Sequence, residues 1–210
     1  MPRTASDTSG PMILYLVRHG QSCYNAEGRI QGQADTPLSE LGQRQAAAVA
    51  QAMADLPIEA IYASPLLRAS QTAGHLAKTL GLDVRHDPRL KEVDAGLFQD
   101  RIRAEIHVEY PGAVEQWRSG HLDFAFPEGE SRRDLIRRGE AALRTVCQQG
   151  HAHAAVVAHG GLLLAGLKAL LGIDSTAPPL ELENGSITRL SVDTTGQATL
   201  VDLDNTAHLT

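Results

Sequence analysis

Two histidines, two arginines and one glutamate in this chain each come just after a short, apolar or extended stretch. Arg18 and His19 follow Met12 to Val17. Ser64 and Arg68 follow Ala60 to Ala63. His159 follows Ala154 to Ala158, and Glu92 follows a stretch around Val84. If these stretches are strands of one parallel sheet, their carboxyl ends bring these groups to a single edge, where ligands bind in such folds.

The residue types suit phosphorus chemistry. A neutral imidazole such as His19 is a competent nucleophile near pH 7, and its attack on phosphorus gives a phosphohistidine. Phosphoryl transfer spreads negative charge over three equatorial oxygens, so fixed positive donors around them count most. Arg18 and Arg68 offer planar, permanently charged forks, and His159 offers a further donor. Backbone N–H groups at Gly160, where a helix opens, also suit an anion. Glu92 can protonate a leaving alkoxide and then take a proton from the attacking water. With that much positive charge on side chains, neither a metal nor any other cofactor is expected. Singly, each residue has a plainer reading: His159 as a core histidine, Arg68 as a solvated helix residue, Glu92 as surface. Their convergence carries the chemical reading.

The elements that must position these groups can be read along the chain. Met12 to Val17 is apolar without alternation, as a doubly covered central strand is. Ser39 precedes a helical pattern of Ala46, Val49, Met53 and Leu56. Ser64-Pro65 predicts an N-cap and first helical residue, with Leu66, Ala69, Ala73, Leu76 and Leu80 on one face and Gly81 as the stop. Residues 82–130 break the rhythm and hold Phe98, Trp117, Phe124 and Phe126. A long helix from Ser131 carries Leu135, Gly139, Leu143 and Val146 inward. A strand over Ala154 to Ala158 leads into a helix ending near Leu171-Gly172, and two strands flank a turn at Thr194-Thr195-Gly196. The expectation is an α/β fold: a three-layer α/β/α sandwich with a mostly parallel central sheet and a short helical lid insertion over about residues 93–130. Residues 1–11 read as a polar, disordered tail and residues 12–210 as a single domain.

Composition excludes several classes. Of 210 residues 42% are hydrophobic and 21% charged, a globular balance, and the net charge is −6. The chain lacks the basic footprint of a nucleic-acid binder. Ala154 to Leu171 is interrupted by His159, Gly160-Gly161 and Lys168, so a strand and a helix are expected there and no membrane partner. Two cysteines, Cys23 and Cys147, without metal spacing or an evident secretion signal, suggest a cytoplasmic protein. His151 and His153 alternate but have no third metal ligand near them in sequence.

The ordered motifs identify a family. They are Leu16-Val17-Arg18-His19-Gly20-Gln21-Ser22 with Asn25, Gly28-Arg29-Ile30-Gln31-Gly32, and Asp35-Thr36-Pro37-Leu38-Ser39-Glu40-Leu41-Gly42. Then come Ser64-Pro65-Leu66-Leu67-Arg68-Ala69 with Gln71-Thr72-Ala73, Leu90-Lys91-Glu92, Gly129-Glu130-Ser131, Ala158-His159-Gly160-Gly161 and Asn184-Gly185-Ser186. The chain resembles the histidine phosphatase superfamily in its phosphoglycerate-mutase-like branch. The resemblance implies that His19 is the phosphorylated nucleophile, that Arg18, Arg68 and His159 complete the phosphate pocket, and that Glu92 is the proton donor. It places Ser22, Asn25, Gln31, Gly32 and Gly160 against phosphate or substrate. A homodimer is a further expectation from the family.

This chain departs from the family pattern at Gln21, where many members carry Glu at the rim, and at Gln99-Asp100, where an acid and a glycine are usual. The segment from Glu92 to Ser131 is short, without the Arg- and Pro-rich insertion of the mutases, and the chain ends soon after its last strand pair. Those features favour hydrolysis of a small phosphorylated metabolite over phosphoglycerate mutase transfer. A protein-phosphohistidine phosphatase ranks lower because those members resemble shorter chains with less lid, and a non-catalytic phosphate-binding module ranks lower because binding alone needs no set such as His19, Glu92 and His159. The four aromatics of the lid are expected either to contact an organic group larger than glycerate or to form a mini-core. Arg132, Arg133, Arg137 and Arg138 are expected on the solvated face of their helix, Glu130-Ser131 near the helix start with a substrate contact as the alternative, and Cys23 as a small buried residue.

Overall fold

The computed structural model describes residues 10–178 and 180–210. Most of the expected N-terminal tail, residues 1–9, lies outside them. The strands β1 (Met12–Arg18), β3 (Ala60–Ala63), β4 (Val84–His86) and β6 (His153–Ala158) run parallel, while β2 (Arg29–Ile30) and β5 (Arg101–Ile102) form a separate ribbon. β7 (Ile187–Val192) is antiparallel to β1, and β8 (Ala198–Asn205) is antiparallel to β7. The main sheet has the order β4-β3-β6-β1-β7-β8.

Helices cover both faces. Side chains alternate along a strand, so each buried strand feeds two cores. Tyr15, Val17, Ile61, Ala155 and Val157 pack on Val49 of α2 (Glu40–Ala52) and on Ala69, Ala73 and Leu76 of α3 (Leu67–Leu80). Leu14, Leu16, Val156 and Ala158 pack on Leu135, Leu143 and Val146 of α6 (Arg132–Cys147) and on Leu162, Leu163 and Leu167 of α7 (Gly160–Leu171). Short helices α1 (Cys23–Glu27), α4 (Arg103–Glu109) and α5 (Ala113–Arg118) lie in the connections. The architecture is the expected three-layer sandwich with a mostly parallel sheet. No helix among the described residues is long and apolar enough to cross a membrane.

One boundary differs from the sequence reading. Ser64 does not cap α3; Leu66 holds that position and offers no side-chain cap. The Ser64 N–H still donates to the Val157 carbonyl (3.0 Å), so Ser64 continues the β3–β6 ladder and the chain turns only after it. Its hydroxyl accepts the Leu66 N–H at 3.3 Å, a local turn that competes with capping.

The segment 93–130 folds over the α6–α7 face. Phe98 and Phe126 are buried with ring centroids 5.4 Å apart, Trp117 lies 4.6 Å from Phe126, and Tyr110 lies 4.9 Å from Phe98. This cluster is continuous with the core beneath α6 and α7.

The start of α2 is pressed against the loop after β1. A Cβ on Gly42 would stand 1.9 Å from the Gln21 carbonyl oxygen, and one on Gly20 would stand 2.4 Å from the Gly42 carbonyl oxygen. Both contacts are with backbone, which cannot rotate away. Gly42→Ala is expected to destabilise the fold by about 1–3 kcal/mol, measured by urea unfolding; unchanged stability would show that the loop is not clamped there.

Candidate active site

The backbone around His19 is fixed from three directions. The His19 N–H donates to Ala158 O (3.0 Å). Its carbonyl accepts from Asn184 Nδ2 and from the Gly185 N–H, each at 3.1 Å. The Gly20 N–H donates to Thr72 Oγ1 (3.1 Å), which in turn donates to the Arg68 carbonyl (2.8 Å). Thr72 and Asn184 lie within the sequence motifs, but only the folded chain shows that they hold the histidine loop.

The ring of His19 is 2% exposed, and its Nδ1 lies 2.6 Å from the Gly20 carbonyl oxygen. A carbonyl only accepts, so Nδ1 carries the hydrogen and Nε2 keeps its lone pair. Burial, with Arg68 and Arg18 beside it, holds the imidazole well below the ordinary histidine range. His19 is therefore neutral at pH 7 with the lone pair of Nε2 free.

Positive donors surround it. Arg68 is fully buried; its Nη1 donates to Ala34 O and its Nη2 to Gly32 O, both at 2.8 Å. Desolvation pushes this guanidinium down to about 10. Arg18 donates from Nη1 to the Leu182 carbonyl, and burial lowers it too. His159 packs edge-on to His19 with centroids 5.1 Å apart, and its Nε2 lies 2.8 Å from Ser64 Oγ. Burial and the neighbouring cations hold it neutral as well. Among the described residues, four buried side-chain polar atoms have no hydrogen-bond partner in the protein: Arg18 Nε, Arg68 Nε, His159 Nδ1 and Arg132 Nε. Three of them belong to the residues around His19. Buried unpaired donors are costly and rare, so they mark a place where a ligand supplies the acceptors.

Glu92 shares the helix start expected to suit an anion at Gly160. The N–H groups of the two residues after Gly160 already hold a carboxyl group, that of Glu92. Gly161 N donates to its Oε2 (3.0 Å), and Leu162 N donates to its Oε1 (2.9 Å), which also accepts from Val93 N (2.9 Å). A Cβ on Gly161 would lie 2.7 Å from Glu92 Oε1, so only glycine admits the carboxylate. Arg138 anchors the chain behind it. It donates to the carbonyls of Arg89 (2.7 Å), Lys91 (2.6 Å) and Glu92 (3.2 Å) while paired with Glu130 at 2.7 Å. Arg138 is thus no solvated-face residue, and Glu130 braces it. Ser131 caps α6 through Asp134 N (3.1 Å). Neither Glu130 nor Ser131 is on the cavity wall.

The residues expected to contact substrate divide into two groups. Asn25, Gln31, Gly32 and Gly160 line one cavity of about 800 Å³ with Arg18, His19, Arg68 and Glu92. Ser22 is fully buried behind them, where it caps α1 and donates to Gln31 Oε1 (2.6 Å). Thr36 Oγ1 donates to the same oxygen (2.9 Å), which leaves the Gln31 amide N–H groups for a ligand. Gln21 does not reach the cavity wall; its Oε1 accepts from Ser39 Oγ (2.8 Å) at the start of α2. His159 lies beneath the wall, not on it.

A model of the histidine phosphatase superfamily, branch 1, matches residues 14–206. The chain belongs to this superfamily. The protein named probable phosphoglycerate mutase GpmB in Cronobacter sakazakii is 39% identical over 179 residues, covering 84% of this chain and 83% of the relative. Its Yersinia pestis namesake is 40% identical over 183 residues, with the same shares covered. The mycobacterial glucosyl-3-phosphoglycerate phosphatase superposes with a TM-score of 0.87 at 36% identity, covering 93% of this chain and all of that one (100%). The alpha-ribazole phosphatase of Shigella flexneri superposes with a TM-score of 0.82 at 25% identity, covering 92% and 96%.

This superfamily member differs from the sequence reading in the rest of its wall. Phe98, Trp117 and Phe126 pack together as a mini-core and also line the cavity, whereas Phe124 packs on them without lining it. Gln99 Oε1 accepts the Gln33 N–H (2.5 Å), and Asp100 adopts φ 63°, where its backbone carbonyl accepts from Arg29 (2.8 Å). The unusual pair therefore ties the lid to the loop around Gly32. Arg132 lines the cavity, whereas Arg133 and Arg137 are solvated as expected. Cys23 is half-buried against Leu38 O. His151 and His153 contact Tyr62 and Tyr15 (both 3.4 Å), and no group of three or more potential metal ligands occurs among the described residues.

The two depressed histidines make stability pH-dependent. Below about 6.5 the unfolded chain binds protons at His19 and His159 that the native chain does not, so stability falls on acidification by about 1.4 kcal/mol per pH unit for each ring. Urea unfolding between pH 7.5 and 5.5 reads this slope. His19→Asn or His159→Asn should each remove about one proton from it; an unaltered slope in both would contradict buried neutral rings.

Proposed function

We propose that the chain is a metal-independent phosphomonoesterase acting through a phosphohistidine on a small organic phosphate. The observation that carries this is the pair of unpaired buried Nε–H groups on Arg18 and Arg68 beside a neutral His19 with Nε2 available. A phosphoryl group supplies the missing acceptors. Nε2 attacks phosphorus, an N–P bond forms and the ester P–O bond breaks. The leaving alkoxide takes its proton from Glu92. Water then attacks phosphorus, Glu92 takes its proton, the N–P bond breaks, and inorganic phosphate leaves with His19 neutral again. The guanidinium donors stabilise the equatorial oxygens in both steps, so no metal is needed.

Hydrolysis is favoured by the breadth of the site. A cavity of about 800 Å³ is the size that encloses a drug-sized molecule, far more than a three-carbon acid needs. Water therefore reaches a phosphohistidine once the alcohol departs. The phosphatase names of the structural neighbours agree with this reading. Mutase transfer is the second reading, favoured by the GpmB relatives; isomerisation of phosphoglycerates faster than their hydrolysis would establish it.

An aryl phosphate should be hydrolysed at full rate in chelator, and loss of activity there would overturn the metal-free mechanism. His19→Ala should abolish ³²P-labelling of the acid-quenched enzyme. Glu92→Gln should slow alkyl phosphates by roughly 100-fold or more while sparing good leaving groups; an equal loss on both would remove Glu92 from the acid role.

A further inference from the structure

The cavity holds a second site of unmatched positive charge. The helix α6 carries arginines besides Arg132, and each of them has a carboxylate. Arg133 pairs with Asp123 (2.6 Å), Arg137 with Asp134 (3.0 Å), Arg138 with Glu130 (2.7 Å) and Arg144 with Glu140 (2.8 Å). Arg132 is in no ion pair with a described residue. Its Nη2 donates to the Trp117 carbonyl, its Cζ lies 4.0 Å from the centre of the Trp117 ring, and its Nε is buried without a partner. This is the same signature that Arg18 and Arg68 show beside His19. Burial lowers Arg132 as it lowers them.

The surroundings agree. Lys168 lines the same cavity, donates to the Ala177 carbonyl at 3.1 Å, and is depressed by burial and then by Arg132. The acid near this lysine is Asp174, which is exposed and accepts from Thr176. Apolar side chains of Trp117, Phe126, Ile136 and Leu164 line the same cavity, with Asp174 also on its wall. The Trp117 ring fixes the guanidinium plane, so the fork is pre-organised toward a planar acceptor.

We propose that Arg132 is a specificity-determining anion subsite. The preferred substrates then carry, besides the phosphoryl group, an apolar or planar body and a second anionic group, a carboxylate or a second phosphate, that reaches Arg132. This inference rests on the reading of His19 as the phosphoryl site. The second anion satisfies Arg132 Nε, and the apolar body covers Trp117 and Phe126. A substrate without the second anion leaves Arg132 buried and unpaired, which selects against it.

The test uses binding, so it does not depend on turnover. Phosphonates of increasing spacer length, ending in a carboxylate, a second phosphonate or a neutral carboxamide, are titrated into the full chain by calorimetry. At one spacer length an acidic member should bind roughly 10- to 100-fold more tightly than its carboxamide. Whether the carboxylate or the phosphonate arm shows the gain identifies the second anion. Arg132→Gln should reduce that preference to less than about threefold, and Arg132→Lys should restore part of it, with carboxamide affinity within about twofold throughout. Equal carboxamide affinity shows that the variants fold. Binding of the phosphonates without an acid preference at any length, or a preference that survives Arg132→Gln, would overturn the subsite alone. No binding by any phosphonate would overturn the phosphoryl site and the subsite together.

Discussion

Two guanidinium groups held out of water beside a neutral imidazole set the terms for this fold. Desolvating Arg68 and Arg18 is costly, and part of that cost is offset by carbonyl oxygens of Gly32, Ala34 and Leu182. Those acceptors come from loops far apart in sequence, so the loops must close over the sheet edge for the arginines to be tolerated. Their charge in turn helps keep His19 unprotonated, so its Nε2 keeps a lone pair. The Nε of each arginine is left without an acceptor in the protein. The site is thus strained electrostatically until an anion arrives, which is how a pre-organised phosphate site works.

The acid is held by a different device. Glu92 belongs to a loop, yet it sits on the first turn of α7 and its backbone is gripped by Arg138 from α6. A flexible segment thereby acquires the precision of the sandwich. The same helix start that suggests an anion site in sequence holds this carboxyl group, and Arg18 and Arg68 remain on the cavity wall.

Chemistry and selectivity occupy different parts of one cavity. The edge of the sheet gathers Arg18, His19, Arg68 and Glu92 on the wall of the cavity. The segment from 93 to 130 and the start of α6 carry Trp117, Phe126 and Arg132, which line the same cavity. That division explains why relatives named as mutases and neighbours named as phosphatases share this scaffold. It also gives Gln99 and Asp100 a purpose: they fasten the lid to the Gly32 loop and so fix the wall against the phosphate side.

Much of this was legible along the chain. Doubly buried strands appear as apolar runs, and helix faces as repeats, because burial acts on each element separately. Arg18, His19, Arg68, Glu92 and His159 could be gathered because strand ends in a parallel sheet share an edge. The errors fall where a partner distant in sequence decides. Ser64 looks like a cap, but β6 keeps it in the ladder and its hydroxyl faces His159. Arg132 and Arg138 share a helix with solvated arginines, and spacing cannot say which of them meets Trp117 or the Glu92 loop. Gln21 and Ser22 sit in a substrate-contacting motif, yet Ser39 and Gln31 claim their side chains. By itself, then, the sequence determined the layers and the reacting groups, since these follow from local burial patterns and residue chemistry. Only the tertiary structure decided which donors stay unpaired, because that depends on acceptors brought in from the rest of the chain.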